Sequence, residues 1–458
     1  MRGDRLLTSF KEDTVRTSNK SWTCASALLA GCAGLAVAGP AGAQSSYAMT
    51  VLKPGAVDAA TPLQYQRDAY IDSQDRVLGD LIYDDGLKPV IVGFNGVFPK
   101  FRLEKTFSHY VVRYAASSAA SVSPVKVLTK SAYLALVSPG GLFSARWAVP
   151  AANNTVPSAE AANWVSVPTP QGQPIGYFSG EAIQAGPTVG GSGVVLQGSG
   201  SSGPWVHQLD VPTVWSSAGG WRYLPQPAGY QGGRVFGLNS RGEAVGEVYA
   251  VDDLRPAAVR WTAAGAELMP APSGQAATAL ALSDQGHVLK ATRAYSISGA
   301  PGNPTSPVTV MGIHHWSVSF NGQDTALTCT AAGLPHVQAF DMSATGVVVG
   351  RCGSYPSPFD LPFGSITQTY TQNLTSAYPK SATLRLMGAA FTPAQSRAFI
   401  WQNGVMTDLT AWVVAKGLKL PTGTVFTNAV SINAKGSIVA EYIDAAGKYA
   451  LVRLTATP

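Results

Sequence analysis

LNSRGEAVG, from Leu238 to Gly246, is an apolar residue, a small polar one, two free positions, Gly242, another free position and then apolar residues. Two short apolar runs joined by Asn/Asp/Ser-x-x-Gly predict a β-hairpin. The polar side chain starts a type I turn, and glycine takes the left-handed position of a bulged hairpin loop. The pattern returns as LSDQGHVLK from Leu282, MSATGVVVG from Met342 and INAKGSIVA from Ile432. Weaker copies are IDSQDRVLG from Ile71, LVSPGGLFS from Leu136 and VGGSGVVLQ from Val189. Gly242, Gly286, Gly346 and Gly436 are therefore expected to serve backbone geometry rather than chemistry.

A second motif follows each copy, a branched apolar run ending in an aromatic residue. It is seen at Tyr114, Trp215, Trp261, Trp316 and Trp401, with degenerate forms at Trp164 and Leu454. Most of these positions are spaced by about 50 residues, and another tight turn follows each, as in Asn403-Gly404. Four short strands in about 50 residues is the size of a propeller blade, and helical periodicity is almost absent. The reading is an all-β, seven-bladed β-propeller of four-stranded units; a tandem of two-sheet sandwiches is the alternative. The last unit, from Asn428 to Leu454, stops one strand short, while Tyr47–Leu52 is an apolar strand without a unit of its own. Pairing the two closes the ring and hides both edges. The second unit is ambiguous, because Trp147 competes with Trp164 for the aromatic position.

AVSINAKGSIVAEY and RAFIWQNGVMTDL resemble the extracellular HAF repeat, over Ala398–Leu409 and Ala429–Glu441 and more weakly over Phe236–Leu268. The resemblance implies an exported, propeller-like β-repeat protein and no known enzymatic activity.

The first 43 residues read as an export signal. A basic leader (Arg2, Arg5, Lys11, Arg16, Lys20) precedes an apolar run from Ala25 to Ala38, and Ala41-Gly42-Ala43 gives the small-x-small cleavage pattern. The run is too short for a membrane span. Cleavage after Ala43 leaves a secreted or periplasmic domain, 44–458. Leu29-Ala30-Gly31-Cys32 resembles a lipobox, so a lipoprotein anchored at Cys32 is the alternative.

The whole chain has 32 Lys+Arg against 26 Asp+Glu, a net of +6. The leader's excess of basic residues leaves the remainder less positive still, too weakly and diffusely charged for a nucleic-acid partner. A monomer is expected, without a transmembrane segment once the signal is removed. Of the four cysteines only Cys329 and Cys352 lie beyond the leader. In an oxidising compartment the pair reads as a disulfide, with two buried thiols as the alternative.

In such a unit the connection between the second and third strands falls on the side opposite the tight turns. These connections are the variable ones, with long insertions at 80–109, 291–312 and 351–397, and long loops in compact domains tend to carry function. The candidate ligand-binding residues on that side are Tyr83, Asp84, Asp85, Trp205, His207, Asp252, Asp253, Tyr355, Phe359, Asp360 and Tyr370, with Phe363 and Tyr378 beside them. Rings stack on sugar faces and carboxylates accept hydroxyl hydrogen bonds, so a carbohydrate or a peptide or protein partner is expected. The competing reading has the aromatics pack the loops and the aspartates start turns.

No catalytic residue, cofactor or metal is indicated. His314-His315 sits in a strand, where adjacent side chains face opposite ways, one core and one surface. Asp84-Asp85 and Asp252-Asp253 lack the alternating acidic loop of a calcium site. Gly190-Gly191-Ser192-Gly193 reads as a flexible turn rather than a phosphate cradle. The expected function is an exported, non-enzymatic binding or scaffolding module. The alternative is a propeller glycosidase or polysaccharide lyase using carboxylates near the central channel.

Overall fold

The repeated turn folds as its chemistry demands. Asn239 donates its N–H to the Glu243 carbonyl and accepts the Gly242 N–H on its own carbonyl, at 3.1 and 3.2 Å. Asn239 Oδ1 accepts the N–H groups of Arg241 and Glu243. The same backbone pair closes the turns that start at Asp72, Ser283, Ser343 and Asn433. Gly242, Gly286, Gly346 and Gly436 have φ of 77°, 94°, 83° and 85°, as expected, and Asp75 takes the equivalent position in the weaker copy at 62°. Aspartate tolerates that region better than most side chains.

The computed structural model describes residues 46–53, 63–95, 98–116, 134–137, 143–145, 165, 167–168, 175–184, 187–195, 209–250, 255–294, 296–297, 308–309, 314–354, 395–447 and 449–457. Residues Gln44–Pro458 form one compact unit. In chain order its first strands are β1 (Ser46–Lys53), β2 (Leu63–Ile71), β3 (Val77–Asn95), β4 (Phe98–Ala116), β5 (Leu134–Val137) and β6 (Phe143–Ala145). Next come β7 (Ile175–Gln184), β8 (Thr188–Val195), β9 (Leu209–Ser216) and β10 (Gly220–Tyr223), then β11 (Gly232–Leu238), β12 (Ala244–Tyr249), β13 (Ala257–Thr262) and β14 (Gly265–Leu268). They are followed by β15 (Gln275–Leu282), β16 (Val288–Ala294), β17 (Ser296–Ile297), β18 (Val308–Thr309), β19 (His315–Phe320) and β20 (Gln323–Ala326). The chain continues with β21 (His336–Met342), β22 (Val348–Gly353), β23 (Ser396–Gln402), β24 (Val405–Asp408) and helix α1 (Leu409–Ala415). It finishes with β25 (Val425–Ile432), β26 (Ile438–Ile443) and β27 (Tyr449–Thr457).

The fold is all-β, built of repeated antiparallel four-stranded sheets: β7–β10, β11–β14, β15-β16-β19-β20 and β21–β24. In β11–β14 burial falls from the first strand to the fourth: β11 is buried almost throughout and β14 is half exposed. The outermost strands β10, β14, β20 and β24 are four residues long, which leaves little edge for another chain to pair with. Apolar faces of successive sheets meet each other. Val245 and Ala258 pack with Ala277, Ala279 and Leu282 of the next sheet, and Leu289 and Val318 with Met342, Val348 and Phe399. Gly246 permits the close strand spacing, since a Cβ there would lie 1.8 Å from the Arg234 carbonyl oxygen.

The apolar strand at the N-terminal end takes the place expected of it. β1 pairs antiparallel with β27 from Ser46↔Thr457 to Leu52↔Leu451, so β25, β26, β27 and β1 make a four-stranded set. Tyr47 is buried beside Phe426 and Ile438, and its hydroxyl donates to the Gly436 carbonyl at 3.0 Å. Burial pushes that hydroxyl up to about 12. At its far end β1 touches β4 through Leu52↔Ala116 and Lys53↔Ala115, joining β2–β4 to the same sheet.

Three expectations need correction. Trp261, Trp401, Tyr114 and Leu454 all pair with the first residue of their second strand, but in β15–β20 that partner of Val288 is Ser319, not Trp316. The Asn321-Gly322 turn, with φ of 50° and 76°, lies two residues past Ser319, as Asn403-Gly404 lies two past Trp401. The turn fixes the register, and Trp316 is left three residues upstream. Second, Val189–Val195 is strand rather than turn: the hairpin closes at Gln184↔Thr188, and Gly190–Gly193 lies within β8. A Cβ on Gly190 would meet Val235 at 2.7 Å, so this glycine admits the neighbouring sheet. Third, the 80–109 insertion is no loop but the long ribbon β3–β4. In the second unit β5 and β6 form the hairpin read from Leu136, whereas Trp147 and Trp164 lie outside the described residues.

Cys329 and Cys352 are bonded, with Cα atoms 5.8 Å apart and a sequence separation of 23. Closing a loop of that length stabilises the fold by about 3 kcal/mol in the chain-entropy picture.

Candidate functional site

The candidate side is defined by what joins second strands to third. The connections are β3–β4 extended over Val77–Ala116, β16 to β19 with the small hairpin β17–β18, and β22 to β23 from Gly353 to Ser396. Among the described residues, the first-to-second turns that start at Asp72, Asn239, Ser283, Ser343 and Asn433 are tight and alike. Tyr83 and Asp84 lie in β3, opposite Ser108 and Phe107, and Asp85 sits at the bulge between Asp84 and Gly86. Trp205, His207, Asp252, Asp253, Tyr355, Phe359, Asp360, Phe363, Tyr370 and Tyr378 lie outside the described residues, as does the leader with Cys32 and Ala43. His314 is buried and His315 exposed, matching the alternation. Burial, with Arg293 and His315 nearby, holds His314 well below the usual histidine range and keeps it neutral.

At the tight-turn end the first strands converge. Ends of β2, β7, β11, β15, β21 and β25 line one cavity of about 120 Å³, with Asp284, Asp341, Ser343 and Asn433 among its polar groups. The carboxylates there tie neighbouring units together. Asp341 Oδ2 accepts from Ser431 Oγ at 2.8 Å and from the Ile432 N–H at 3.0 Å. Asp284 Oδ1 accepts the Ser240 N–H at 2.8 Å. Asn433 Nδ2 donates to the Asp72 carbonyl at 2.7 Å and to Asp75 Oδ1 at 2.8 Å. Burial alone would raise Asp75, but hydrogen bonds from Ser437 and Asn433 and the Lys435 ammonium hold it below the usual carboxylate range. Turn is latched to turn.

Further charge is buried between sheets. Arg234 Nε donates to Asp210 Oδ2 at 2.7 Å, joining β11 to β9. Glu247 is fully buried on β12 and accepts from Thr278 Oγ1 of β15 at 2.7 Å. Burial raises Glu247 above the usual range despite Arg234 nearby. Lys290, also fully buried, donates to Asp324 and to the Pro270 carbonyl. Desolvating such groups is costly, and removing one partner strands the other; Arg234–Asp210 and Glu247–Thr278 cross from sheet to sheet, whereas Lys290–Asp324 lies within one. The sequence reading passed over Asp341, Asp284, Glu247 and Arg234. Their one signal was a charge inside or beside an otherwise apolar strand, as in HVQAFDM and AVGEVY.

Among the described residues no group of three or more His, Cys, Asp or Glu is placed to hold a metal ion. No described helix is long and apolar enough to cross a membrane. No protein-family model and no curated protein matches the chain. The two ends of its sheets differ in character. One end holds short latched turns whose polar groups are engaged with each other, and the other carries the variable connections.

Proposed function

We propose that the chain is an exported, non-enzymatic binding or scaffolding module, a seven-bladed β-propeller of the HAF-repeat kind that meets a carbohydrate or protein partner on its strand-connection side. The observation that carries this reading is the asymmetry just described. Uniform turns need no explanation beyond folding, whereas length and variety at the opposite end do. The propeller is supported by the packing of each sheet's first strand on the sheet before it. This holds for β11 on β7–β9, β15 on β11–β13, β25 on β21–β23 and β2 on β25 and β26, with β5 linking β4 to β7. Export is supported by the Cys329–Cys352 bond, which suits an oxidising compartment.

The test is a glycan and peptide array probed with the chain 44–458 beside a variant whose residues 354–395 are replaced by a short Gly-Ser linker. Binding by the intact chain, lost in a variant that keeps its thermal transition, is the expected result. Binding by neither protein sinks the carbohydrate and peptide reading.

A further inference from the structure

The turns that start at Asp72, Asn239, Ser283, Ser343 and Asn433 let equivalent positions be compared from unit to unit. Two residues before each starter stand Tyr70, Gly237, Ala281, Asp341 and Ser431. In β7 the same place is taken by Ala182, the first residue to pair past the bulge, as Gly237 is in β11. All six line the cavity at the tight-turn end. Ala182, Gly237 and Ala281 are small, and a Cβ on Gly237 would lie 2.8 Å from Val245. The other three carry a phenol, a carboxylate and a hydroxyl. Small residues on β7, β11 and β15 thus leave room, and polar ones on β2, β21 and β25 complete the lining.

The charge of that lining is one-sided. Asp284 and Asp341 line the cavity, and among the described residues no Lys, Arg or His does. Asp341 accepts from Ser431 Oγ and from the N–H groups of Ile432 and Met342, and Asp284 accepts the Ser240 N–H. Those donors are neutral and leave both negative charges in place. Beside the carboxylates stand Ile71, Leu282 and Ile432 and the rings of Tyr70 and Phe340. Tyr70, Asp284 and Asp341 are half-buried and stay within reach of solvent. A volume of about 120 Å³ suits a chain of a few carbons. The turns do not need a carboxylate at this position, since the one starting at Asn239 closes with Gly237 in the place of Asp341.

We infer that this cavity binds a primary alkylammonium group, its charge beside Asp341 and Asp284 and its carbon chain along the apolar wall. Carboxylates make strong charge-assisted hydrogen bonds to ammonium groups, and aromatic rings attract the same charge through their faces. Burying the chain adds to both. The same chemistry serves a free small amine or the lysine side chain of a partner protein. The site lies at the end opposite the strand connections, so it stands or falls apart from the array result.

The experiment is isothermal titration calorimetry of the chain 44–458 with pentylamine and with pentanol, its neutral counterpart. Saturable binding of the amine is expected, about tenfold or more tighter than the alcohol, the margin a charged hydrogen bond supplies. Asp341→Asn should weaken the amine by a similar factor. Because Asp341 also holds Ser431 and Ile432, Asp284→Asn serves as a second variant, whose side-chain oxygen still accepts the Ser240 N–H. Melting curves identify the variants that fold. An acetylated, amidated lysine separates the two sources: affinity equal to that of pentylamine assigns the site to a partner's lysine, and its exclusion while the amine binds assigns it to a free amine. Three results would each overturn the inference: no saturable binding of pentylamine at millimolar concentration, equal affinity for amine and alcohol, or parent-like amine affinity in the folded aspartate variants.

Discussion

A chain that begins at Pro54, without β1, is expected to lose its cooperative unfolding transition. β1 supplies the fourth strand beside β27 through seven residue pairs, Ser46↔Thr457 to Leu52↔Leu451. It also buries Tyr47 and Leu52 in two different clusters, with Met49 and Val51 packed against the first. Full burial of one such side chain is worth about 1.5–3 kcal/mol, so the four together contribute roughly 5 kcal/mol before any hydrogen bond is counted. That is comparable to the whole stability of many domains, about 5–15 kcal/mol. Removal also bares the edge of β27, an invitation to aggregation. Circular dichroism melts of the chains starting at Gln44 and at Pro54 check this. A melt unchanged by the truncation would mean that the strand decorates the sheet without holding it.

The second large effect is expected at Asn433. Its Oδ1 accepts the N–H groups of Lys435 and Ser437, and its Nδ2 donates to Asp72 and Asp75 of the neighbouring turn. The residue is 3% exposed, so water cannot replace what is lost. A buried polar group left without its partner costs about 1–3 kcal/mol, and Asn433→Ala leaves several, for a total of roughly 3–4 kcal/mol. Asn433→Ser separates the two jobs. Ser283 and Ser343 show that a hydroxyl serves the turn, accepting from His287 and Val347. Serine should therefore restore the bond to the Ser437 N–H while losing the latch and the bond to Lys435, a deficit of about 1–2 kcal/mol. Urea unfolding of the three proteins measures both steps. Equal stability of the alanine and serine variants would show that the latch contributes nothing.

These two positions also show how far the sequence can be read. The turn at Asn433 is legible because a bulged hairpin needs a polar starter and a left-handed residue at fixed offsets, and both are local requirements. β1 is legible because an apolar strand without a unit and a unit without a strand complete each other. The placement of Trp316 failed for a related reason. The bulkiest residue does not mark the register; the Asn321-Gly322 turn sets it. The latch from Asn433 to Asp75 and the Arg234–Asp210 and Glu247–Thr278 links were out of reach. A charge in a strand reads as a solvated face until the neighbouring sheet is known to cover it.

The central structural claim is that the N-terminal strand completes the last sheet in one definite register, and a cross-link tests it most directly. Ala48 and Thr455 are partners across β1 and β27, whereas Thr457 pairs with Ser46. Ala48→Cys with Thr455→Cys, in the chain 44–458, should form an intramolecular disulfide on mild oxidation, identified by mass spectrometry of the linked peptides. Ala48→Cys with Thr457→Cys, displaced by two residues on the same face, should form far less. Equal linking in both proteins, or linking in neither, would contradict the pairing and the ring closure proposed from it.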